Sequence, residues 1–309
     1  MMKNFNKKAL ALATVAILAT GLSSQAYAGA KTYSHLLIDN FQIFNGNDVQ
    51  YDAGDFDDLQ IGNFSTTFAA TNNHGSASND SQVGGSLDTT AGSGNPDDNA
   101  SCVGSGCSYE DSYMMQVAPA NNSFMRGDTE LLGSLITNAP GNIGPAAVTA
   151  NAITEGQTEV TDAGSGNADV GTGTQFSFTG IDDTIRFEFD AQAMLLALLH
   201  QDDVSAFAAL GFSINIFDNT NNVDFFSFTP GELNEARTQL DEGSTGYDSG
   251  FLHFSATTAQ LLAANVYTLS INQTTRGRFN AIKPIPEPAT LAIFGLALMG
   301  LASTRRSKT

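Results

Sequence analysis

The sequence predicts a mainly β chain, an antiparallel β-sandwich of jelly-roll type with long loops rich in Gly, Ser and Asn. Three observations predict it. First, apolar residues recur at every second position: Ile185, Phe187 and Phe189 alternate with Arg186, Glu188 and Asp190. A period of two buries one face of a strand and leaves the other wet, the mark of antiparallel sheets. Second, charged residues make up only 15% of the chain, against about 25% in ordinary soluble domains. Asn, Ser, Thr and Gly take their place, Trp is absent, and 21 Phe supply apolar bulk. That mixture suits a pleated surface better than a helical bundle, which draws on Ala, Leu, Glu and Lys. Third, turn pairs such as Thr179-Gly180, Asp218-Asn219 and Pro230-Gly231 punctuate the runs at short intervals, as several short strands of a sandwich require.

Taken in order, the first expected strand is 35–44, with Leu36, Ile38 and Phe41 set among polar residues, and the second is 59–68. Residues 71–108 carry no apolar period and read as a flexible Gly/Ser/Asn/Asp loop. The pattern between Tyr113 and Ile153 is mixed and specifies no element, and 161–174 reads as a glycine-rich connector. Beyond Gln175 the signal sharpens. Phe176 and Phe178 begin it; Val204, Ala206, Ala208, Leu210, Phe212, Ile214 and Ile216 then hold the period through one long strand, and Tyr267, Leu269 and Ile271 repeat it. The continuous apolar run 191–199 is consistent with a short helix or a fully buried strand, and periodicity does not choose between them.

The two ends are of a different kind. Lys3, Lys7 and Lys8 precede an apolar run, 9–22, and then Ala26-Tyr27-Ala28. Positive charge, a short apolar segment and small residues at alternate positions make a secretory signal peptide, cleaved after Ala28. The Sec translocon and signal peptidase are its implied partners. At the other end Pro286-Glu287-Pro288 leads into an apolar segment, 289–302, and then Arg305, Arg306 and Lys308. Fourteen helical residues rise about 21 Å, short of the roughly 30 Å of a bilayer's hydrocarbon core. The segment is a marginal span, with its basic end held in the cytoplasm and its proline pair fixing an extended, accessible approach.

This three-part tail, 286–309, resembles the PEP-CTERM sorting signal. The resemblance implies that Pro286, Glu287 and Pro288 are read by an exosortase, with Arg305 and Arg306 as retention charges. It also implies removal of the tail and delivery to the cell surface or extracellular matrix of a Gram-negative bacterium, often one making exopolysaccharide or biofilm. Cys102 and Cys107 followed by Glu110-Asp111-Ser112 are similar to a β-rich region of some proteins of this kind, a likeness that brings no activity with it.

Between the ends, 29–285 forms one acidic ectodomain with 31 acidic residues against 7 basic ones. Nucleic acids need Lys and Arg to neutralise phosphates, so they are excluded as partners, and anionic lipid surfaces are disfavoured. Divalent cations and neutral or cationic polymers remain compatible, and acidity alone keeps an exported protein soluble. Cys102 and Cys107, the only cysteines, meet an oxidising compartment after export and are expected to pair. A zinc site would need further ligands, and the four histidines are scattered.

No G-x-S-x-G, H-E-x-x-H or G-x-x-x-x-G-K occurs, and the chain reads as non-catalytic. A glycosidase needs only two carboxylates brought together by the fold, and the sequence singles out no such pair. Calcium is the one cofactor worth considering, at Asp52, Asp55, Asp57 and Asp58 with Asp48 nearby. Their spacing is not that of an EF-hand, and a solvated acidic turn is the simpler reading. The Phe-rich strands could face sugar rings, but alternating Phe is more often core. Two functions follow: a structural or adhesive matrix component, or a polysaccharide-binding module or glycan-active enzyme displayed by the same route.

Overall fold

The alternating pattern is realised as fourteen strands among the residues that the structure, a computed structural model, describes: 29–73, 76–87, 97–104, 113–115, 123–138, 147–158, 164–200 and 205–281. In chain order they are β1 (Ala30–Phe44), β2 (Asp57–Asn73), β3 (Ser76–Leu87), β4 (Asp97–Gly104) and β5 (Phe124–Gly133). Then come β6 (Val148–Gln157), β7 (Gly164–Thr179), β8 (Arg186–Leu199), β9 (Ser205–Asp218) and β10 (Val223–Phe228). The last are β11 (Ala236–Gln239), β12 (Gly243–Asp248), β13 (Leu252–Thr257) and β14 (Tyr267–Ala281). Single 3-10 turns at Ala53–Asp55 and Gly231–Leu233 are the only helical elements among the described residues.

The strands form two seven-stranded antiparallel sheets. The first runs β12-β8-β1-β6-β5-β4, with β13 also pairing with β8; the second runs β10-β9-β14-β7-β2-β3, with β11 also pairing with β9. Consecutive strands change sheet at β1–β2, β3–β4, β6–β7, β7–β8, β8–β9, β11–β12 and β13–β14, so both sheets draw strands from along the whole ectodomain. The nested pairs β1·β8, β2·β7 and β4·β5 are those of a jelly roll, but β3 pairs with β2 and β6 with β1 and β5, so the jelly-roll set is incomplete.

Inward side chains from both sheets share one apolar cluster. Phe41 and Phe189 of the first sheet stack at 4.9 Å, and Phe212 of the second lies 5.0 Å from Phe189. Towards the opposite end the filling changes to small residues, with Ala69, Ala168, Ala197 and Ala206 around Met125 and Phe279. Between the two lies a seam of buried hydroxyls. Ser65 meets Thr129 at 3.1 Å, Thr67 meets Ser101 at 2.7 Å, and Ser34 donates to the Arg276 carbonyl at 2.8 Å. Gln273 Nε2 donates to the Leu36 carbonyl. The hydroxyls of Thr32, Thr154 and Thr275 in the same seam have no hydrogen-bond partner.

The expected strands at 35–44 and 59–68 are present and longer than expected. The run 191–199 is part of β8, whose burial alternates strictly: Ala191, Ala193, Leu195, Ala197 and Leu199 face the core, while Met194, Leu196 and Leu198 are half-buried on the other side. Two expectations are corrected. The described residues of the stretch 71–108 are not loop: they hold the end of β2 and all of β3 and β4. The inward positions leading into this region are Ser65, Thr67, Ala69 and Thr71, small or hydroxylated residues that write no apolar period. The described residues of the stretch 161–174, from Gly164 on, are the first eleven positions of β7. Its glycines stand opposite aromatic rings: Gly166 is the register partner of Phe279 and Gly173 that of Phe64. A Cβ on Gly166 would lie 2.4 Å from the Phe279 ring, and one on Gly173 would lie 2.7 Å from Phe64. The rings occupy the space that side chains would need, so glycine is required there in an extended strand.

Two substitutions test this packing. Phe189→Ala should lower unfolding stability by about 3–5 kcal/mol, read as a shift in urea midpoint. Thr154→Val, which removes an unpartnered buried hydroxyl at constant shape, should be neutral or stabilising; a loss above about 1 kcal/mol would show that the hydroxyl is satisfied.

Candidate functional site

The residues singled out by sequence do not converge. Asp52 caps the Ala53–Asp55 turn, accepting from Gly54 N and Thr137 Oγ1 at 2.9 Å each and from Asn138 Nδ2. Those bonds, from Gly54 first, then Asn138 and Thr137, hold its carboxyl below the usual range. Asp55 closes the capping box, accepting from Asp52 N at 2.8 Å, and Asp48 pairs with Arg186 at 2.9 Å. Asp57 packs against Gly180, which has φ +90°, and Asp58 is exposed. Among the described residues no group of three or more His, Cys, Asp and Glu is placed to hold a metal ion. Cys102 is buried on β4 and is not a free thiol. Its expected partner Cys107 lies outside the described residues, as do Glu110 to Ser112, Ala26, Ala28, Pro286, Glu287, Pro288, Arg305, Arg306 and the apolar run 289–302. No helix among the described residues is long and apolar enough to cross a membrane.

Sequence gave no hint of a buried ionic cluster on the outer face of the first sheet. Arg126 of β5 and Glu155 of β6 are register partners, joined at 2.9 and 3.0 Å with side chains 2% and 0% exposed. Lys31 of β1 reaches the same carboxylate at 3.2 Å. Residues 113–115 cross above them: Arg126 donates to the Met114 carbonyl at 2.9 Å and Tyr33 Oη to the Tyr113 carbonyl at 2.7 Å, while the Tyr113 ring stacks on His35 at 5.9 Å. Asn151 donates to Glu130 at 2.8 Å, leaving its oxygen to accept from His35 Nε2 at 3.2 Å. Burial pushes the His35 pKa down against that hydrogen bond. Burial pushes Glu155 up, against the opposing pull of Arg126 and Lys31. The Tyr33 phenol is raised chiefly by burial and secondarily by Glu155. These groups lock the sheet to the segment above it and present no open surface.

The outer face of the second sheet is open. Register aligns Phe68, Asp169, Arg276 and Ala209 in one row across β2, β7, β14 and β9, and Thr66, Gly171, Thr274 and Gly211 in the next. These rows line a groove of about 590 Å³. Asp169 accepts from Arg276 and lies 3.9 Å from Arg278, and both guanidinium side chains are about half exposed. Arg278 also donates to Asn167 at 2.8 Å. The Thr66 and Thr274 hydroxyls donate inward to the carbonyls of Gly171 and Gly211 at 3.4 Å. The expected strands took in Thr66, Phe68, Ala209 and Gly211, but Asp169 and Gly171 fell in an expected connector and nothing in one sequence aligns four strands, so the groove was not legible.

The class defined so far is an acidic two-sheet β protein with a buried ionic cluster on one outer face and an open groove on the other. Its tail supplies the rest: residues 284–306 match the PEP-CTERM protein-sorting motif. The chain therefore carries a C-terminal motif of the PEP-CTERM type, and the motif implies export with a C-terminal signal for exosortase-dependent sorting. The match covers the tail alone. No match to the chain was found among curated proteins or among solved structures.

The ionic cluster predicts two stability effects. Glu155→Gln, which leaves Arg126 buried without its counter-charge, should destabilise by about 3–5 kcal/mol. His35 has a lowered folded pKa, so the unfolded chain binds its proton first. The stability this gives is complete above the unfolded value near 6.5 and is lost as pH falls towards the folded one. A His35→Gln variant should accordingly show a flatter fall in melting temperature between about pH 7 and 5; an unchanged slope would remove His35 from the account.

Proposed function

We propose that this protein is a non-catalytic structural or adhesive component of an extracellular matrix, associated with exopolysaccharide or biofilm at the surface of a Gram-negative bacterium. The observation that carries the reading is the sorting motif at 284–306. Such a tail commits its bearer to delivery outside the inner membrane, and the acidic ectodomain suits a hydrated setting where copies must not aggregate. Removal of the N-terminal signal after Ala28, insertion of 289–302 and cutting near Pro286-Glu287-Pro288 are the steps in order. A polysaccharide-binding role is the second reading, favoured by the open groove on the second sheet. No metal is needed for either role. Carboxylates that the sequence made candidates for calcium are engaged in capping at Asp52 and Asp55 and in an ion pair at Asp48.

Terminal peptide mapping of the secreted protein tests the sorting. Mature material should begin at Gly29 and end near the Pro-Glu-Pro element in cells with an exosortase, and keep its tail in cells without one. Recovery of Lys308 from secreted protein of normal cells would overturn the assignment. Calorimetric titration with calcium should give no binding heat and no rise in melting temperature; a stoichiometric heat would restore the Asp52 to Asp58 turn as a cation site.

A further inference from the structure

We propose that the groove across the outer face of the second sheet binds an uncharged polysaccharide strand. This rests on the matrix reading above and names the ligand class of its second form. The groove spans four strands, hence three spacings of about 4.8 Å, or about 14 Å in all. Its volume, about 590 Å³, lies in the range of small-molecule sites. Gly171 and Ala209 form a floor without bulk, so a ligand reaches the sheet surface. Phe68 offers one apolar ring edge or face for the C–H side of a sugar. Around it stand both kinds of polar group that hydroxyls need. Thr66 and Thr274 have turned their protons inward to Gly171 and Gly211, leaving oxygen lone pairs outward. Arg276 and Arg278 contribute donors, and Asp169 between them an acceptor, all charge-assisted.

Charge selects the type of glycan. Elsewhere among the described residues the exposed or half-exposed cations sit on carboxylates of their own, Arg186 on Asp48 and Glu188, Arg237 on Glu235. Arg276 and Arg278 share the single Asp169. That local excess repels cationic polymers. The chain as a whole carries −19, and its field repels polyanions before contact. An uncharged strand meets neither barrier. A protein partner fits poorly, because recognition cores are apolar and aromatic, whereas Thr and Gly dominate here.

The test is affinity electrophoresis of the full chain in native gels cast with hydroxyethyl cellulose, galactomannan or dextran, and with alginate as the charged comparison. At least one uncharged polymer should retard the protein. Phe68→Ala and Arg276→Gln should each weaken that retardation by about tenfold, and Thr274→Val, which keeps the side-chain shape, by a smaller factor. Phe251→Ala, at a site 64% exposed and outside the groove, should leave it unchanged, and melting temperatures identify any variant that has failed to fold. Retardation by alginate alone, by none of the gels, or equally in wild type and all folded groove variants would overturn the proposal. A protein correctly trimmed at both ends yet retarded by nothing would sink the groove while leaving the sorting assignment standing.

Discussion

The gap between the two sheets has to be filled along its whole length, and how it is filled governs nearly everything else. At one end Phe41, Phe189 and Phe212 meet across it, large rings whose burial from water is the main stabilising term available to a chain with no Trp. At the other end alanines and glycines let the sheets approach, with Phe279 and Met125 filling the space left by Gly166 and Gly156. A hydroxyl seam joins the two regimes. Its bonds, Ser65 to Thr129 and Thr67 to Ser101, tie strands of opposite sheets and so fix their relative register. Apolar packing alone is non-directional and would fix it less sharply.

With the inner faces committed, the outer faces diverge. On the first sheet, charges that would be fully solvated on an open surface lie under residues 113–115. Arg126 and Glu155 are tolerable there because they pair with each other and with Lys31 and the Met114 carbonyl. Such a cluster adds little net stability but penalises any arrangement that separates its members. It therefore acts as a clasp between the sheet and residues 113–115. Cys102, the register partner of Arg126, lies on β4. On the second sheet no described segment crosses the rows of Phe68 and Thr66, and the side chains of Arg276 and Arg278 there stay about half exposed.

How much of this the sequence discloses depends on residue size. β8, β9 and β14 were readable because Phe, Ile and Leu alternate with polar residues along them. The end of β2 and the start of β7 were not, because their buried positions are mostly Ser, Thr, Ala and Gly, whose pattern is indistinguishable from a linker's. A glycine under a cross-strand Phe looks in one dimension like a flexible hinge, and only the pairing of Gly166 with Phe279 reveals it as a packing site. The ionic cluster was hidden for a related reason: Arg126 and Glu155 are 29 residues apart, and each alone is an ordinary surface residue. The sorting tail, by contrast, is contiguous in the sequence, and its motif at 284–306 needs no distant residues to be recognised.

A β protein with two open sheets must also keep its sheet edges from pairing with other copies. Here the two sheets solve this in parallel. β8 is flanked not by one long strand but by β12 against 194–199 and β13 against 186–191. β9 is flanked by β10 against 214–218 and β11 against 206–209. Each of these outer strands has six residues or fewer, and a turn interrupts the edge halfway. Charged residues stand on or beside them, Asp224 on β10, Arg237 with Glu235 at β11, and Asp248 on β12. Short, broken and charged edges are poor templates for strand addition. Association through this side must therefore run across the faces of the sandwich and not through its edges. Of the two faces, that of the second sheet carries the open groove described above.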